Sequence, residues 1–368
     1  MPAISAPAKV LVSGANGFIA VWVVKDLLDQ GYAVRGTVRV ASKGTHLLNL
    51  FKKEEENGMF ELVVVPDITA SGAFDDAVKG VDAIAHTASP FHFNADEPKD
   101  LINPAVEGTV GILESAMKYA GPQLKRIAVT SSCAAMLDLA AKGAFNEHNW
   151  NENSVIEVRE KGRDASQSAK YFASKVLAEK AAWNFIEINK SEISWDLTTL
   201  NPPFAFLHEV ASPGALNSSV ALFYETFITK RIKPAELEMI KFGWVDVRDV
   251  SRGHVLALEV PSASGERFIL SGGPFILQDW YDALNKSKIS GVEAPVSAPS
   301  TEKVFQRNMY FDNMKAQAVL GIVFRDNSVT ARDSVQDMRK RGWLSQGQDD
   351  KVEEIGKNLT SSSVLRKA

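Results

Sequence analysis

The stretch KVLVSGANGFIAVWVVKDLLDQG, Lys9 to Gly31, is where the fold is decided. Its first five residues, KVLVS, are a short apolar run of strand type. From Phe18 onward the apolar residues recur at helical spacing and the segment ends on a glycine. Between strand and helix stand Gly14, Gly17 and Ala20. The first small residue permits a tight turn. The second lets the backbone approach a pyrophosphate, and the third lets the helix lie close on the strand. The helix N-terminus then offers free N–H groups and partial positive charge. A glycine triplet alone is weak; its place between the first strand and the first helix gives it weight. Gly14, Ala15, Asn16, Gly17, Phe18 and Ile19 are therefore expected around a dinucleotide pyrophosphate.

Working outward, the pattern repeats. AVRGTV (Ala33 to Val38), MFELVVV (Met59 to Val65), DAIAHTA (Asp82 to Ala88), RIAVTSS (Arg126 to Ser132) and SWDLTTLN (Ser194 to Asn201) read as strands, and Gly108 to Ala120 as a helix before the fifth. Continuous apolar strands alternating with helices predict an α/β chain with a Rossmann-type, doubly wound parallel sheet buried on both faces. After Asn201 the pattern loosens. The expected organisation is a nucleotide-binding domain over 1–204, with 244–260 packing back onto it, a smaller mixed C-terminal substrate lobe over 205–345, and a polar tail over 346–368.

The end of the second strand selects the cofactor. An NAD site usually has an acid there for the ribose 2′-hydroxyl. Here GTVRVASKG supplies Arg39 and then Lys43. A guanidinium fork suits a 2′-phosphate, so NADP, as NADPH, is expected. Asp67 and Ile68 follow the third strand, near the expected adenine. Thr87, Ala88 and Ser89 follow the fourth, near ribose and phosphates.

SQSAKYFASKVLAEKAAW, Ser166 to Trp183, places Tyr171 four residues before Lys175, on one helix face. A free tyrosine has a pKa of about 10. An adjacent ammonium lowers it, and a tuned phenol can protonate the oxygen formed when hydride reaches a carbonyl carbon. Ser132, closing the fifth strand, can hold that oxygen; Ser131 competes for the role. Alone, Tyr-x-x-x-Lys is as easily a surface helix. Its weight comes from the glycine loop, Arg39 and the serine together.

Composition excludes other classes. The net charge is −4, which gives no basic excess for nucleic acid or a membrane surface. No apolar run reaches the roughly 18 residues of a membrane span. The N-terminus lacks a signal-peptide pattern. With Cys133 as the single cysteine no internal disulfide forms, so a cytoplasmic protein is expected, with its sequons at Asn217 and Asn358 unused. Cys133 itself reads as a small buried residue. The six histidines show no metal-ligand spacing, and no metal is expected.

SGANGFIA, HTASPFHF, TSSCAAM, YFASK and VDVRDV together resemble the extended short-chain dehydrogenase/reductases. The similarity runs from about Lys9 to Trp343. Within that family the chain is most similar to fungal NADPH-dependent aldehyde and ketone reductases, including yeast-type methylglyoxal reductases, and to plant dihydroflavonol and cinnamoyl-CoA reductases. The resemblance implies a catalytic triad of Ser132, Tyr171 and Lys175. It implies an Arg39/Lys43 clamp on the NADP phosphate and an adenine contact at Asp67 and Ile68. It also nominates Ala205 at the nicotinamide, Ser219 as a later cofactor contact, and Phe91, Leu137 and Phe204 as the substrate pocket. Two departures stand out. Leu207 and His208 replace the Gly-Pro with which many relatives continue, and Glu107 stands where some carry an asparagine of the proton relay.

The expected activity is NADPH-dependent reduction of small or medium hydrophobic aldehydes and ketones, small molecules being the partners, with the oligomeric state unspecified. The alternatives are a sugar-nucleotide epimerase or dehydratase on the same fold, and a non-catalytic NADP-sensing protein. Arg39 and the retained Tyr171 and Lys175 weigh against them. Arg231 and Lys233 are the loop cations that could still recruit an anionic substrate.

Overall fold

The computed structural model describes residues 4–89, 95–138, 143–207, 216–228, 241–287 and 309–345. Phe91, His208, Arg231, Lys233, Asn358 and the polar tail 346–368 lie outside the described residues.

The first half alternates strand and helix as its sequence predicts: β1 (Lys9–Ser13), α1 (Phe18–Asp29), β2 (Ala33–Val38), α2 (Ala41–Leu50), α3 (Lys52–Glu56), β3 (Phe60–Val64), β4 (Ala83–His86), α4 (Lys99–Tyr119) and β5 (Arg126–Thr130). There follow β6 (Gly143–Phe145), α5 (Glu152–Lys161), α6 (Gln167–Ile188), β7 (Asp196–Asn201) and β8 (Phe204–Phe206). Next come α7 (Ser218–Phe223), β9 (Lys241–Asp246), α8 (Val247–Glu259), β10 (Arg267–Ile269), β11 (Gly273–Ile276), α9 (Leu277–Ser287), β12 (Met309–Phe311) and α10 (Asn327–Lys340).

Seven strands form one sheet in the order β3-β2-β1-β4-β5-β7-β10, and every neighbouring pair is parallel. Both faces carry helices, so β4 and β7 are buried at every residue. Chain order reverses direction between β1 and β4. The carboxyl ends of those strands therefore part to leave the crevice in which open α/β sheets bind ligands.

Two elements differ from the sequence expectation. The helix expected from Gly108 begins at Lys99 and contains Pro104. Proline removes one helix hydrogen bond, but Leu101, Ala105, Thr109, Ile112, Leu113 and Ala116 keep a buried stripe running through it. The second difference is β10, which returns from the second half of the chain to pair with β7 through Arg267–Thr199, Phe268–Leu200 and Ile269–Asn201. The lobe anticipated over 205–345 is therefore not one continuous piece. At three residues, β10 is too short to carry a periodicity.

α8 also lies on the first sheet's layer. Val247, Val250, Val255, Ala257 and Leu258 share a core with Val21, Val23, Val24 and Leu27 of α1, and Ser251 Oγ donates to Trp22 O at 2.8 Å. The remaining lobe is built on a mixed sheet, β11-β9-β8, with β8–β9 parallel and β9–β11 antiparallel. Its core is aromatic: Trp280 is fully buried, with ring centroids of Phe206 at 4.8 Å and Trp244 at 5.1 Å. Among the described residues no helix is long and apolar enough to cross a membrane, and no cluster of His, Cys, Asp and Glu could hold a metal ion.

Candidate active site

The loop expected to hold the pyrophosphate is shaped by Gly14. It takes φ +64°, and a Cβ there would come within 3.1 Å of Ala88 Cβ. The turn closes through Gly17 N donating to Gly14 O at 2.8 Å. α1 then starts at Phe18 with no side-chain cap and no acid in its first turn, so its leading amides lack partners within the helix. Asn16 and Gly17 are exposed and Phe18 and Ile19 half-buried. Ala15 differs from expectation. Its side chain is fully buried and its N–H is taken by Thr37 O at 2.8 Å, so it offers no donor to the crevice.

Ser13, at the end of β1, joins this loop to β4. Its hydroxyl accepts the N–H groups of Thr87 and Ala88, both at 3.0 Å, and meets His86 Nδ1 at 2.9 Å. With its acceptor side so used, Ser13 donates its proton to His86. Burial first, and then the charge of Lys175, push the His86 pKa down to about 3, so the ring stays neutral. Thr87 Oγ1 donates to Ser13 O. Ser89 is exposed and accepts from Lys175 Nζ at 2.9 Å.

At the far side of β2, Arg39 and Lys43 are both exposed. Asp67 is exposed as well, and its carboxylate closes its own turn by accepting Thr69 N at 2.9 Å and Thr69 Oγ1 at 2.7 Å. Those bonds, with the Arg39 charge nearby, hold its pKa below the usual carboxylate range. The Ile68 side chain leans on α4: a Cβ added to Gly108 would meet Ile68 Cδ1 at 3.0 Å.

Ser132, Tyr171 and Lys175, the three groups expected to react, lie together at the carboxyl end of β5. α6 begins where Ser166 Oγ caps Ala169 N at 3.2 Å, and it carries Tyr171 and Lys175 one turn apart. Ser132 leads a 3₁₀ turn, Cys133–Ala135, capping Ala134 N at 3.1 Å, and its side chain is hydrogen-bonded to the Tyr171 phenol. Lys175 Nζ is 5.7 Å from the Tyr171 ring centroid. Burial pushes the Tyr171 pKa up and the Ser132 hydrogen bond draws it back. Burial brings Lys175 down to about 8. The downward pull on the phenol thus comes from Ser132, while the ammonium is turned to Ser89.

Ser131, the competitor of Ser132, points the other way. It is buried, and its hydroxyl donates to Glu179 Oε2 at 2.5 Å. Cys133 is 2% exposed; its thiol donates to Asn201 O at 3.1 Å and burial raises its pKa, which leaves it no nucleophilic role. Leu137 is half-buried and packs with Tyr171 against Ala134 and Phe172. Phe204 is half-buried and, like Phe18, packs against the aromatic core.

Ala205 and Ser219 are brought together, since Ser219 Oγ donates to Ala205 O. Both are buried, and Ser219 Oγ also accepts Asn217 Nδ2 at 2.9 Å. Its proton and one of its two acceptor sites are therefore used inside the protein. Leu207 takes φ +72° and is the one non-glycine residue with positive φ among the described residues. That conformation costs an L-residue about 1–2 kcal/mol, so Leu207 stands where a glycine would be unstrained. Glu107 is exposed on α4.

Three residues that shape this site had not been singled out: Ser13, His86 and Glu179. The signal for Glu179 was its spacing, eight residues after Tyr171 and four after Lys175 on the same helix face.

Comparison with known proteins gives a consistent picture. The family described as "NAD dependent epimerase/dehydratase family" matches residues 10–270. The chain is similar to the ketoreductase azaE of Aspergillus niger, at 36% identity over 90% of this chain and 97% of that one. It is likewise similar to the NADPH-dependent methylglyoxal reductase GRE2 of Saccharomyces cerevisiae, at 34% identity over 90% of this chain and 98% of that one. Among solved structures, Gre2 from Candida albicans in complex with NADPH superposes with a TM-score of 0.79 at 32% identity, covering 91% of this chain and 99% of that chain.

Proposed function

Because the chain belongs to the NAD dependent epimerase/dehydratase family, among its extended short-chain reductases, we propose that it is an NADPH-dependent carbonyl reductase acting on small or medium hydrophobic aldehydes and ketones. The observation that carries this reading is the convergence of Ser132, Tyr171 and Lys175 at the end of β5.

The residues fit NADP. Gly14 leaves a cradle that a Cβ would fill, the uncapped start of α1 faces it, and the second strand leads to a cation, Arg39, where an NAD site would have an acid. When bound, the cofactor supplies the hydride. Ser132 orients the substrate oxygen beside the phenol. Tyr171, kept protonated at neutral pH by its burial, donates the proton to that oxygen. Lys175 holds a positive charge at the inner end of the crevice, anchored through Ser89 to the segment after β4. Leu137 and Phe204 supply apolar walls, and burying apolar surface there stabilises alkyl and aryl substituents by about 25 cal/mol per Å².

The organisation proposed is a nucleotide-binding unit over 1–204, joined by α8 and by β10 at the edge of its sheet, and a substrate lobe built on the aromatic core. We assign it to the cytoplasm, a reading supported by a single, buried cysteine. The test is NADPH consumption against a panel of aldehydes, diketones, β-keto esters and a UDP-sugar. Turnover of simple carbonyls is expected; turnover of the UDP-sugar alone would favour an epimerase or dehydratase instead.

A further inference from the structure

We infer, resting on the reductase reading above, that Glu179 is a positioning residue which sets the Ser132 hydroxyl against the Tyr171 phenol. Glu179 is 1% exposed and sits on α6 one turn beyond Lys175 and two beyond Tyr171. Its Oε2 accepts Ser131 Oγ at 2.5 Å and Asn201 Nδ2 at 2.8 Å. Its Oε1 accepts Arg267 Nε at 2.6 Å, Thr199 Oγ1 at 3.0 Å and Trp183 Nε1 at 3.4 Å. An ionised carboxylate is acceptor only, with about four lone-pair sites, and these donors fill it.

Four of the five donors come from the sheet: the end of β5, β7 and β10. Only Trp183 belongs to the same helix. Glu179 is therefore the bridge between α6, which carries the phenol, and the strand ends, which carry the serine. The bridge reaches Ser132 by two routes. Ser131 is its covalent neighbour, and Asn201 Nδ2, oriented by Glu179, also donates to Ser132 O at 3.2 Å. With Tyr171 and Glu179 on one rigid helix, the separation of the Ser132 hydroxyl from the phenol is fixed by this junction.

A carboxylate here also answers the buried charge of Arg267, whose Nη1 donates to Asn149 O at 3.1 Å and whose guanidinium lies 3.7 Å from the Trp150 ring centroid. A purely structural ion pair would do the same, so the test must separate the two roles. Topology provides the means. The four sheet-side donors to Glu179 lie at the end of β5 and on β7 and β10, whereas Gly14 and Arg39 stand at the ends of β1 and β2, on the other side of the crevice.

The experiment measures kcat for reduction of a simple aldehyde, and NADPH affinity by fluorescence, in wild type, Glu179→Gln, Ser132→Ala and the double variant. Glu179→Gln is expected to lower kcat about 10²-fold, the scale of an ångström misplacement. NADPH affinity should be unchanged, and the Ser132→Ala background should lose nothing further. Ser131→Ala removes one donor and no charge. It serves if Glu179→Gln fails to fold, and is expected to give the same pattern with a smaller loss. Equal losses with and without Ser132, or no loss at all, would overturn the inference. A wild-type chain that reduces no carbonyl would sink the reductase reading and this inference with it.

Discussion

Lys175 donates to Ser89 across 2.9 Å, a buried ammonium whose partner is an exposed hydroxyl rather than a carboxylate. The cost of that arrangement appears in its proton affinity, which burial brings down to about 8. An unfolded lysine keeps its proton to about 10.4. Below pH 8 both states are protonated and the folded state bears the full desolvation cost. Between pH 8 and about 10.5 the folded state sheds its proton first, so stability rises with pH. Lys175→Met is therefore expected to unfold at higher denaturant than wild type at pH 7, by on the order of 1–3 kcal/mol, with the gap closing above pH 8. Turnover should be lost. A variant less stable than wild type at pH 7 would contradict this account.

Tyr171→Phe removes the proposed proton donor and little else. Ser132 Oγ keeps its bond to Ala134 N, so the 3₁₀ turn should persist. General acid catalysis by a placed side chain contributes about 10²–10⁴-fold, and kcat is expected to fall by that much while NADPH affinity measured by fluorescence stays put. Loss of NADPH binding together with turnover would make Tyr171 a structural residue.

The sheet was legible because its strands are buried on both faces and its loops carry chemistry in a fixed order. β1 and β2 fall on their predicted residues, and the Tyr171–Lys175 helix forms as its spacing requires. Parts of the site resisted for physical reasons. Ala15 lies within the glycine loop, yet the close approach of Gly36, where a Cβ would sit 2.8 Å from Ala15 Cβ, turns it into the core. Ser131 and Ser132 are indistinguishable in sequence; what separates them is Glu179, reached only when α6 docks on the strand ends. The second lobe is held by aromatic packing between strands of three to six residues, too short for a clear period.

Arg39 is exposed, so its removal should be read mainly in cofactor choice. Hydrogen bonds to charged groups contribute about 1.5–3 kcal/mol. Arg39→Ala is expected to lower kcat/KM with NADPH by roughly 10- to 100-fold and to leave kcat/KM with NADH nearly unchanged. Steady-state kinetics with both cofactors in both proteins decides it. A wild-type preference for NADH would remove the phosphate clamp from the mechanism.

Substrate size should be set at Leu137. It packs with Tyr171 on the Ala134–Phe172 cluster, which in the proposed reaction puts it beside a carbonyl held by Ser132 and the phenol. Phe204 comes two residues after Pro202, whose carbonyl is 3.5 Å from Ser132 Oγ, and is the second proposed wall of the same pocket. Truncating Phe204 would also loosen the aromatic core against which it packs, which makes Leu137 the cleaner probe. Leu137→Ala removes three carbon atoms from one wall without touching a hydrogen bond. Small changes in an apolar pocket discriminate substrates by about 1–3 kcal/mol. The ratio of kcat/KM for a bulky aryl ketone to that for a small aldehyde is therefore expected to rise by roughly 10-fold or more, with NADPH affinity unchanged. An unaltered ratio would move the pocket wall away from Leu137 and leave Phe204 as its determinant.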